Sequence, residues 1–271
     1  MTVTEPFFRL LPPATGSAAD PPGTQRVFAT GSTAGPWFPD GQHMGPPSAL
    51  LVRALEACDP RPEMLLSRFT VEVLGRVPMG ELTVSSRVER AGRTIELVSA
   101  EIAAGGRAVA RAAGWRLAAT DTAAAATPPG PAMPGPEAGR EIPTPEGWLP
   151  GYLDALEWRW LSGHLGESGP GRAWGRLRVP VVEGEEPTPW QRLAAVADST
   201  NGAAARLDLN AWLFVNTDLT LHVHRAPRGE WIGLDADSVI GPEGLGTAFS
   251  VLHDGEGPVG RAAQALTVRP R

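Results

Sequence analysis

Three polar residues lie in apolar or small-residue surroundings and carry side chains that could take part in chemistry. Asp198 follows an apolar helical run, Gln264 interrupts an apolar strand, and Asn216 stands where another strand begins. A carboxylate such as Asp198 can accept a proton as a general base. The amides of Gln264 and Asn216 both donate and accept hydrogen bonds, so they can hold a water in place. Each residue also has an ordinary interpretation, as a polar side chain on a solvated face or, for Asn216, at a turn.

Covalent and metal chemistry are less favoured by the sequence. No Ser–His or Cys–His pair is recognisable by its spacing, and the one cysteine, Cys58, lies on the apolar stripe of a predicted helix. A water mechanism is therefore favoured over a covalent one. His222 and His224 share one strand face, but no further ligand accompanies them at a readable spacing. We therefore expect no metal site and no cofactor.

The elements that would position these residues form two similar blocks. In each block a helix precedes a series of antiparallel strands, which is typical of an α+β arrangement. The first block has a strand candidate at Gln25–Thr30, a helix at Ser48–Cys58, and strands at Phe69–Leu74, Leu82–Arg90, Thr94–Ile102 and Arg107–Leu117. The second has a strand candidate at Gly171–Val182, a helix from Pro189 to Leu207, and strands at Thr217–His224, Trp231–Val239, Leu245–Leu252 and Val259–Val268.

The two blocks align when the first is shifted by 150 positions, which indicates internal duplication. Five residues of the fourth predicted strand and its turn then meet identical ones. They are Gly105, Val109, Arg111, Ala112 and Ala113. Residues 1 to about 24 are predicted to be a loosely held lead-in. Residues 119–147, rich in Pro, Ala and Gly, are predicted to link domains at 25–118 and 148–271.

Composition excludes several classes of protein. The net charge of −6 and pI of about 5.4 argue against binding to nucleic acid or to an anionic membrane. No apolar run reaches the length of a membrane-spanning helix, and no signal peptide is recognisable. We therefore expect a soluble cytoplasmic protein.

Three motifs resemble those of a known family. His43-Met44-Gly45 is similar to a His-Gly-Gly motif at a helix start, with Met in place of the first Gly. The run 216–225 is similar to a strand that ends in His-Arg, and the last strand has Gln264 near its middle. Together with the duplicated helix and sheet, these motifs resemble the acyl-CoA thioesterase II family and its thioesterase-like relatives. The resemblance covers most of residues 25–118 and 148–271.

The resemblance implies a double hotdog fold, in which two helix-wrapped antiparallel sheets join into one continuous sheet. It also implies hydrolysis of fatty acyl-CoA thioesters to the free acid and CoA by a water held by Asp, Thr or Ser, and Gln. Asp198 and Gln264 match two of these positions. The hydroxyl position falls on Asn216, with Thr217 one place later, and a shift of one residue turns a strand side chain to the other face.

Other residues are candidates for binding the substrate. Trp37 could line an acyl tunnel and His43 belongs to the family-like motif, while N–H groups near Gly45 or near Asp198 could stabilise an oxyanion. The substrate implied by the resemblance is acyl-CoA, with a chain length that the sequence does not specify. A homodimer is one alternative for the oligomeric state.

Two other functions compete with hydrolysis. A non-catalytic protein that binds acyl-CoA or another acyl thioester is the first, motivated by Asn216. A double hotdog dehydratase or hydratase is the second. It ranks lowest because His43 is the only histidine near a helix start and the His-x-x-x-Gly-x-x-x-x-Pro pattern is absent there.

Overall fold

In the part of the chain that the structure describes, thirteen strands pair into one antiparallel sheet, against which the helices pack. The computed structural model describes residues 5–13, 23–38, 40–144, 151–164 and 167–271. The strands are β1 (Phe8–Leu11), β2 (Gln25–Ala29), β3 (Met64–Val73), β4 (Gly80–Arg90), β5 (Ile95–Ala104), β6 (Arg107–Ala118), β7 (Leu156–Ser162), β8 (Gly171–Leu177), β9 (Trp212–Asn216), β10 (Asp218–Val223), β11 (Ile232–Ile240), β12 (Leu245–Asp254) and β13 (Gly257–Pro270). The helices are α1 (Gly45–Ala57), α2 (Pro189–Ala197) and the short α3 (Thr200–Ala203).

The strand order confirms the predicted double hotdog. It runs β1-β2-β4-β5-β6-β3 in the first half and β10-β13-β12-β11-β8-β7 in the second, with β9 also paired to β13. The halves join where β3 pairs antiparallel with β10. One continuous sheet therefore passes through both halves, and each half wraps its own helix.

A local two-fold relationship is centred on the junction of the halves. Thr70 and Thr220, 150 residues apart, lie opposite each other, with their Oγ1 atoms 3.1 Å apart. The first and last residues of β5 lie 150 positions before those of β12, and the first residue of β6 lies 150 positions before that of β13. The helices depart from it, since α1 begins at Gly45 and α2 at Pro189.

The two longer helices are central to the core. Leu50, Leu51 and Val52 of α1 are fully buried, as is the run 193–197 of α2. Pro46 lies in the first turn of α1, where its missing N–H costs nothing. A Cβ at Gly45 would lie only 2.6 Å from the carbonyl oxygen of Ala195, so the close approach of α1 to α2 requires glycine there.

The prediction that residues 1 to about 24 are loosely held is wrong for residues 7–11. Phe7 and Phe8 are fully buried, and the Phe8 N–H donates to the carbonyl oxygen of Val181 in the second half. Residues 8–11 then pair with β2. Burying two phenylalanines supplies enough apolar contact to order this segment. The rest of the lead-in, residues 1–4 and 14–22, lies outside the described residues.

The predicted helix from Pro189 to Leu207 is also wrong, since it breaks after Ala197. The Thr200 hydroxyl donates to the Ala197 carbonyl oxygen at 2.7 Å, which satisfies an orphan carbonyl at the end of α2. The predicted strand from Gly171 ends at Leu177 instead of Val182, and the strand predicted from Thr217 is preceded by β9. Strand β7 was not predicted.

The predicted linker, residues 119–147, is described up to residue 144. Its first part is exposed, whereas its second part packs on the second half. The Trp174 Nε1 donates to the Pro134 carbonyl oxygen at 2.7 Å, and Arg140 exchanges two backbone hydrogen bonds with Trp160. The domain boundaries at 25–118 and 148–271 stay predictions. In the described ranges, no helix has the length and apolar character needed to cross a membrane.

Candidate functional site

Asp198 is the centre of a buried cluster at the break between α2 and α3. Its side chain is 2% exposed. The Asn216 Nδ2 donates to Asp198 Oδ1 at 3.0 Å, and the His43 Nδ1 lies 3.1 Å from Asp198 Oδ2. Three residues predicted from the sequence, on three different elements, thus meet at one carboxylate. The alternative that Asp198 faces solvent is excluded by its burial.

Gln264 reaches the same helix break from the middle of β13. Its Nε2 donates to the Asp198 carbonyl oxygen at 3.0 Å and lies 3.5 Å from Asp198 Oδ1. Its Oε1 accepts from the Asn201 N–H at 3.0 Å. One amide therefore satisfies a backbone carbonyl at the end of α2 and a backbone N–H at the start of α3. Gln264 is buried, so the alternative that it faces water is wrong.

A β-bulge decides which residue of the 216–217 pair contacts the carboxylate. Asn216 pairs with Leu266 and Thr220 pairs with Ala263, so four steps along one strand match three along the other. The extra residue turns the local side chains, as bulges do. Thr217 is exposed, and the residue of this segment that bonds to the carboxylate is Asn216.

The His43 ring is held between two hydrogen-bonding groups and a tyrosine. Its Nδ1 lies 3.0 Å from the Gly45 N–H and 3.1 Å from Asp198 Oδ2, so the proton on this ring decides which of the two it bonds. The ring stacks on Tyr152, with centroids 3.8 Å apart and planes 10° apart. This fixes the orientation of the imidazole beside the carboxylate.

Tyr152 lies beside the cluster and forms hydrogen bonds at the end of α2. Its hydroxyl donates to the Ala195 carbonyl oxygen at 2.7 Å and lies 2.8 Å from Ser199 Oγ. Full burial raises the pKa of the Tyr152 phenol, so the group stays protonated and remains a donor. The hydroxyl thereby satisfies a carbonyl in the last turn of α2.

The N–H group of Gly45, one of the candidates for stabilising an oxyanion, is directed at the His43 ring. The Gly45 N–H donates to His43 Nδ1 when that nitrogen is unprotonated, and it points at the ring in either case. Pro46 and Pro47 follow and have no N–H. The first turn of α1 therefore has few donors to offer a substrate.

A cavity with two parts opens beside the cluster. The outer cavity, about 330 Å³, is lined by Asp198, Asn216 and Thr217 and also by Arg76 and Arg269. The inner pocket, about 30 Å³, is walled mainly by apolar residues. They include Leu153, Trp158, Trp160, Ala203 and Leu209. Trp37, His43 and Asn201 line both parts and mark their junction.

The two parts differ in charge. At the outer cavity, the guanidinium of Arg76 lies 4.4 Å from the centroid of the Phe38 ring and bonds to Asp40 at 2.6 Å. Cations at a solvent-facing mouth attract phosphates, whereas the apolar inner pocket suits a hydrocarbon group. The arrangement can therefore bind a molecule that is anionic at one end and apolar at the other.

The described part of the chain contains no group of three or more His, Cys, Asp or Glu residues placed to hold a metal ion. His222 is exposed, and His224 Nε2 lies 3.0 Å from the Pro258 carbonyl oxygen.

Sequence reasoning did not predict two members of the cluster, Tyr152 and Asn201. Tyr152 is the only tyrosine in the chain, which is a weak signal. Asn201 belongs to the polar run that follows α2, and that run could have been interpreted as a helix end.

Two family models match the chain. One, described as the acyl-CoA thioesterase N-terminal domain, matches residues 33–117. The other, described as the acyl-CoA thioesterase C-terminal domain, matches residues 136–268. Together they span most of the chain. A comparison with curated proteins finds no match.

Similar solved structures share the fold at low sequence identity. A putative thioesterase II from Thermobifida fusca is 15% identical, with a TM-score of 0.72 over 91% of this chain and 92% of that one. A hot dog protein of unknown function from Alicyclobacillus acidocaldarius is 14% identical, with a TM-score of 0.72 over 93% and 95%. An acyl-CoA thioesterase II from Mycobacterium marinum is 18% identical, with a TM-score of 0.62 over 92% of both chains.

Proposed function

The chain belongs to the acyl-CoA thioesterase family, and on that premise we propose that it hydrolyses acyl-CoA thioesters to a free acid and CoA. One observation carries the proposal. A buried carboxylate, Asp198, lines a substrate-sized cavity, where its Oδ1 accepts from Asn216 and its Oδ2 lies 3.1 Å from His43 Nδ1.

Asp198 is the general base of the proposed reaction. It takes a proton from a water in the outer cavity, and the water oxygen attacks the thioester carbonyl carbon. The C–S bond then breaks, the acid remains, and CoA leaves as a thiolate that takes up a proton. A well-placed general base contributes roughly a factor of 10² to 10⁴ to the rate.

Asn216 takes the place of the family's hydroxyl residue in this proposal. Its Nδ2 orients Asp198, and its Oδ1 accepts no hydrogen bond from the described residues. That oxygen can accept from the attacking water and hold it toward the carbonyl. Thr217, at the bulge, is assigned no direct part.

Gln264 and His43 act on either side of the reacting atoms. Gln264 is a positioning residue, because its amide is already bonded to the backbone at Asp198 and Asn201. His43 lies at the junction of the two cavity parts. When its Nδ1 accepts from the Gly45 N–H, its Nε2 carries the proton and can donate a hydrogen bond to the thioester carbonyl oxygen. Trp37, at the same junction, forms the wall beside it.

The test is hydrolysis of an acyl-CoA panel, followed by trapping the released thiol with a chromogenic reagent. Asp198→Asn keeps the shape of the side chain but removes the base, so we expect kcat to fall by about 100-fold or more. Asp121→Asn, on an exposed turn, is the matched control and should keep the wild-type rate. Wild-type turnover in Asp198→Asn would refute the assignment of the base.

Asn216 also supports a second candidate, a protein that binds acyl-CoA without hydrolysing it. An amide cannot replace a hydroxyl in every step of proton transfer. Calorimetry that finds tight acyl-CoA binding, with no thiol released over the same period, would favour this function over hydrolysis.

A further inference from the structure

We propose that this protein selects short acyl groups, of about two to four carbons, because Trp158 and Trp160 close the inner pocket. The inference rests on the proposed function and deepens it by naming the class of substrate. It starts from the direction in which an acyl-CoA must enter the cavity.

The polarity of the cavity sets that direction. The outer cavity has the volume and the arginines, Arg76 and Arg269, to receive the phosphate-bearing part of CoA. The inner pocket is apolar and begins at His43 and Asn201, beside the catalytic cluster. With the thioester carbonyl at that junction, the acyl group points into the inner pocket.

The inner pocket is small. Its volume of about 30 Å³ is two to three times the roughly 10–15 Å³ that a cavity needs to hold one water molecule, so it has room for about two groups of that size. Only the first carbons beyond the carbonyl fit without displacing a wall. Each further methylene meets side chains that must move, and a misfit of that kind changes kcat/KM by about 10-fold or more.

Two indoles of the inner pocket wall, Trp158 and Trp160, are held in place. Trp158 is 9% exposed and Trp160 is 5% exposed, and their rings stack at a centroid distance of 6.0 Å. The backbone of Trp160 exchanges hydrogen bonds of 2.8 and 2.9 Å with Arg140. Trp158 also meets Tyr152 edge-on, at 6.4 Å. Packed this way, the wall resists displacement by a longer chain.

Trp158 offers a mild way to enlarge the pocket. Its Nε1 is buried and has no hydrogen-bond partner among the described residues. Trp158→Phe removes an unpaired donor, so the lost packing is offset by a lost desolvation penalty. This variant keeps the proposal testable if Trp160→Ala does not fold.

The experiment measures kcat/KM for straight-chain acyl-CoAs from acetyl to dodecanoyl. For the wild type we expect a maximum at four carbons or fewer and a fall of at least 10-fold at eight. We expect Trp160→Ala to raise the ratio of octanoyl to butyryl kcat/KM by at least 10-fold, and Trp158→Phe to raise it by a smaller factor. Trp231→Ala, whose indole packs on Arg176 outside the cavity, is the matched control and should leave the ratio unchanged.

A wild-type maximum at eight carbons or more would overturn the proposal. So would an unchanged ratio in both folded variants. Binding of S-alkyl-CoA thioethers by calorimetry separates this failure from failure of the proposed function. If no thioester is hydrolysed but affinity falls with alkyl length, hydrolysis is refuted and the size limit stands. If thioesters are hydrolysed and affinity does not fall with length, the size limit is refuted.

Discussion

Replacing Gln264 with leucine distinguishes a positioning role from direct action on the substrate. The substitution removes a side-chain amide that bridges α2 and α3 and puts an apolar side chain of similar size in its place. The Asn201 N–H and the Asp198 carbonyl oxygen then lose the partners described above, at 3.0 Å each. Both residues are buried, so water cannot readily replace the amide.

The magnitude follows from these two backbone groups. A buried polar group left without a partner costs about 1–3 kcal/mol, so the pair predicts a loss of about 2–6 kcal/mol in the free energy of unfolding. That is a large share of the stability of a typical domain, about 5–15 kcal/mol. A residue that only orients a water would lower activity with little effect on stability.

The assay is urea unfolding of the wild type and of the variant, with turnover measured on the same samples. Gln25→Leu is the matched control, because Gln25 is exposed and its side-chain oxygen accepts from Arg53. Its substitution should change the free energy of unfolding by about 0.5 kcal/mol or less. A loss below about 1 kcal/mol in Gln264→Leu, together with lost turnover, would refute the positioning role.

Three further predictions concern stability. Gly45→Ala places a Cβ 2.6 Å from the Ala195 carbonyl oxygen, so α1 and α2 must separate, and thermal unfolding should show a loss of about 1–3 kcal/mol; an unchanged Tm would contradict this packing. Burial raises the pKa of the Glu56 carboxyl. The free energy of unfolding of the wild type relative to Glu56→Gln should therefore fall as the pH rises above 4.5. Urea unfolding that shows no such trend with pH would contradict this prediction. Asp254 binds Arg225 through both carboxylate oxygens, at 2.5 and 2.6 Å. Asp254→Ala should lower the free energy of unfolding by about 3 kcal/mol, the low end for such pairs because the Arg225 side chain is 28% exposed. A loss near zero in urea unfolding would contradict this prediction.

Much of the fold was predictable because its signals are local. Strand alternation and helical stripes are read within about ten residues, and β5, predicted at Thr94–Ile102, is found at Ile95–Ala104. Strand β7 carried the same signal, since Leu156, Trp158 and Trp160 alternate and are buried. It was missed beside the Pro- and Gly-rich segment that precedes it. The helix break was missed because hydrogen bonds of single polar side chains, such as Thr200, decide it.

The sequence identified several residues of the site but few of the contacts between them. The resemblance pointed to Asp198 and Gln264, which the structure brings together across 66 positions of the chain. The stacking of His43 on Tyr152 depends on the packing of the two halves, and no local pattern encodes it. Asn216 contacts the Asp198 carboxylate instead of Thr217 because of a β-bulge. A bulge changes the face of the sheet on which every later residue of the strand lies.

The local two-fold axis has a consequence for stoichiometry. The positions 150 residues before Asn216 and Gln264 are Leu66 and Gly114, and neither side chain can form a hydrogen bond. A Cβ at Gly114 would lie 2.9 Å from a methyl carbon of Leu66, so that mirror position is already filled with hydrocarbon. Fusion of the halves has left each free to specialise, and we expect a tight substrate analogue to titrate the protein at one equivalent per chain instead of two.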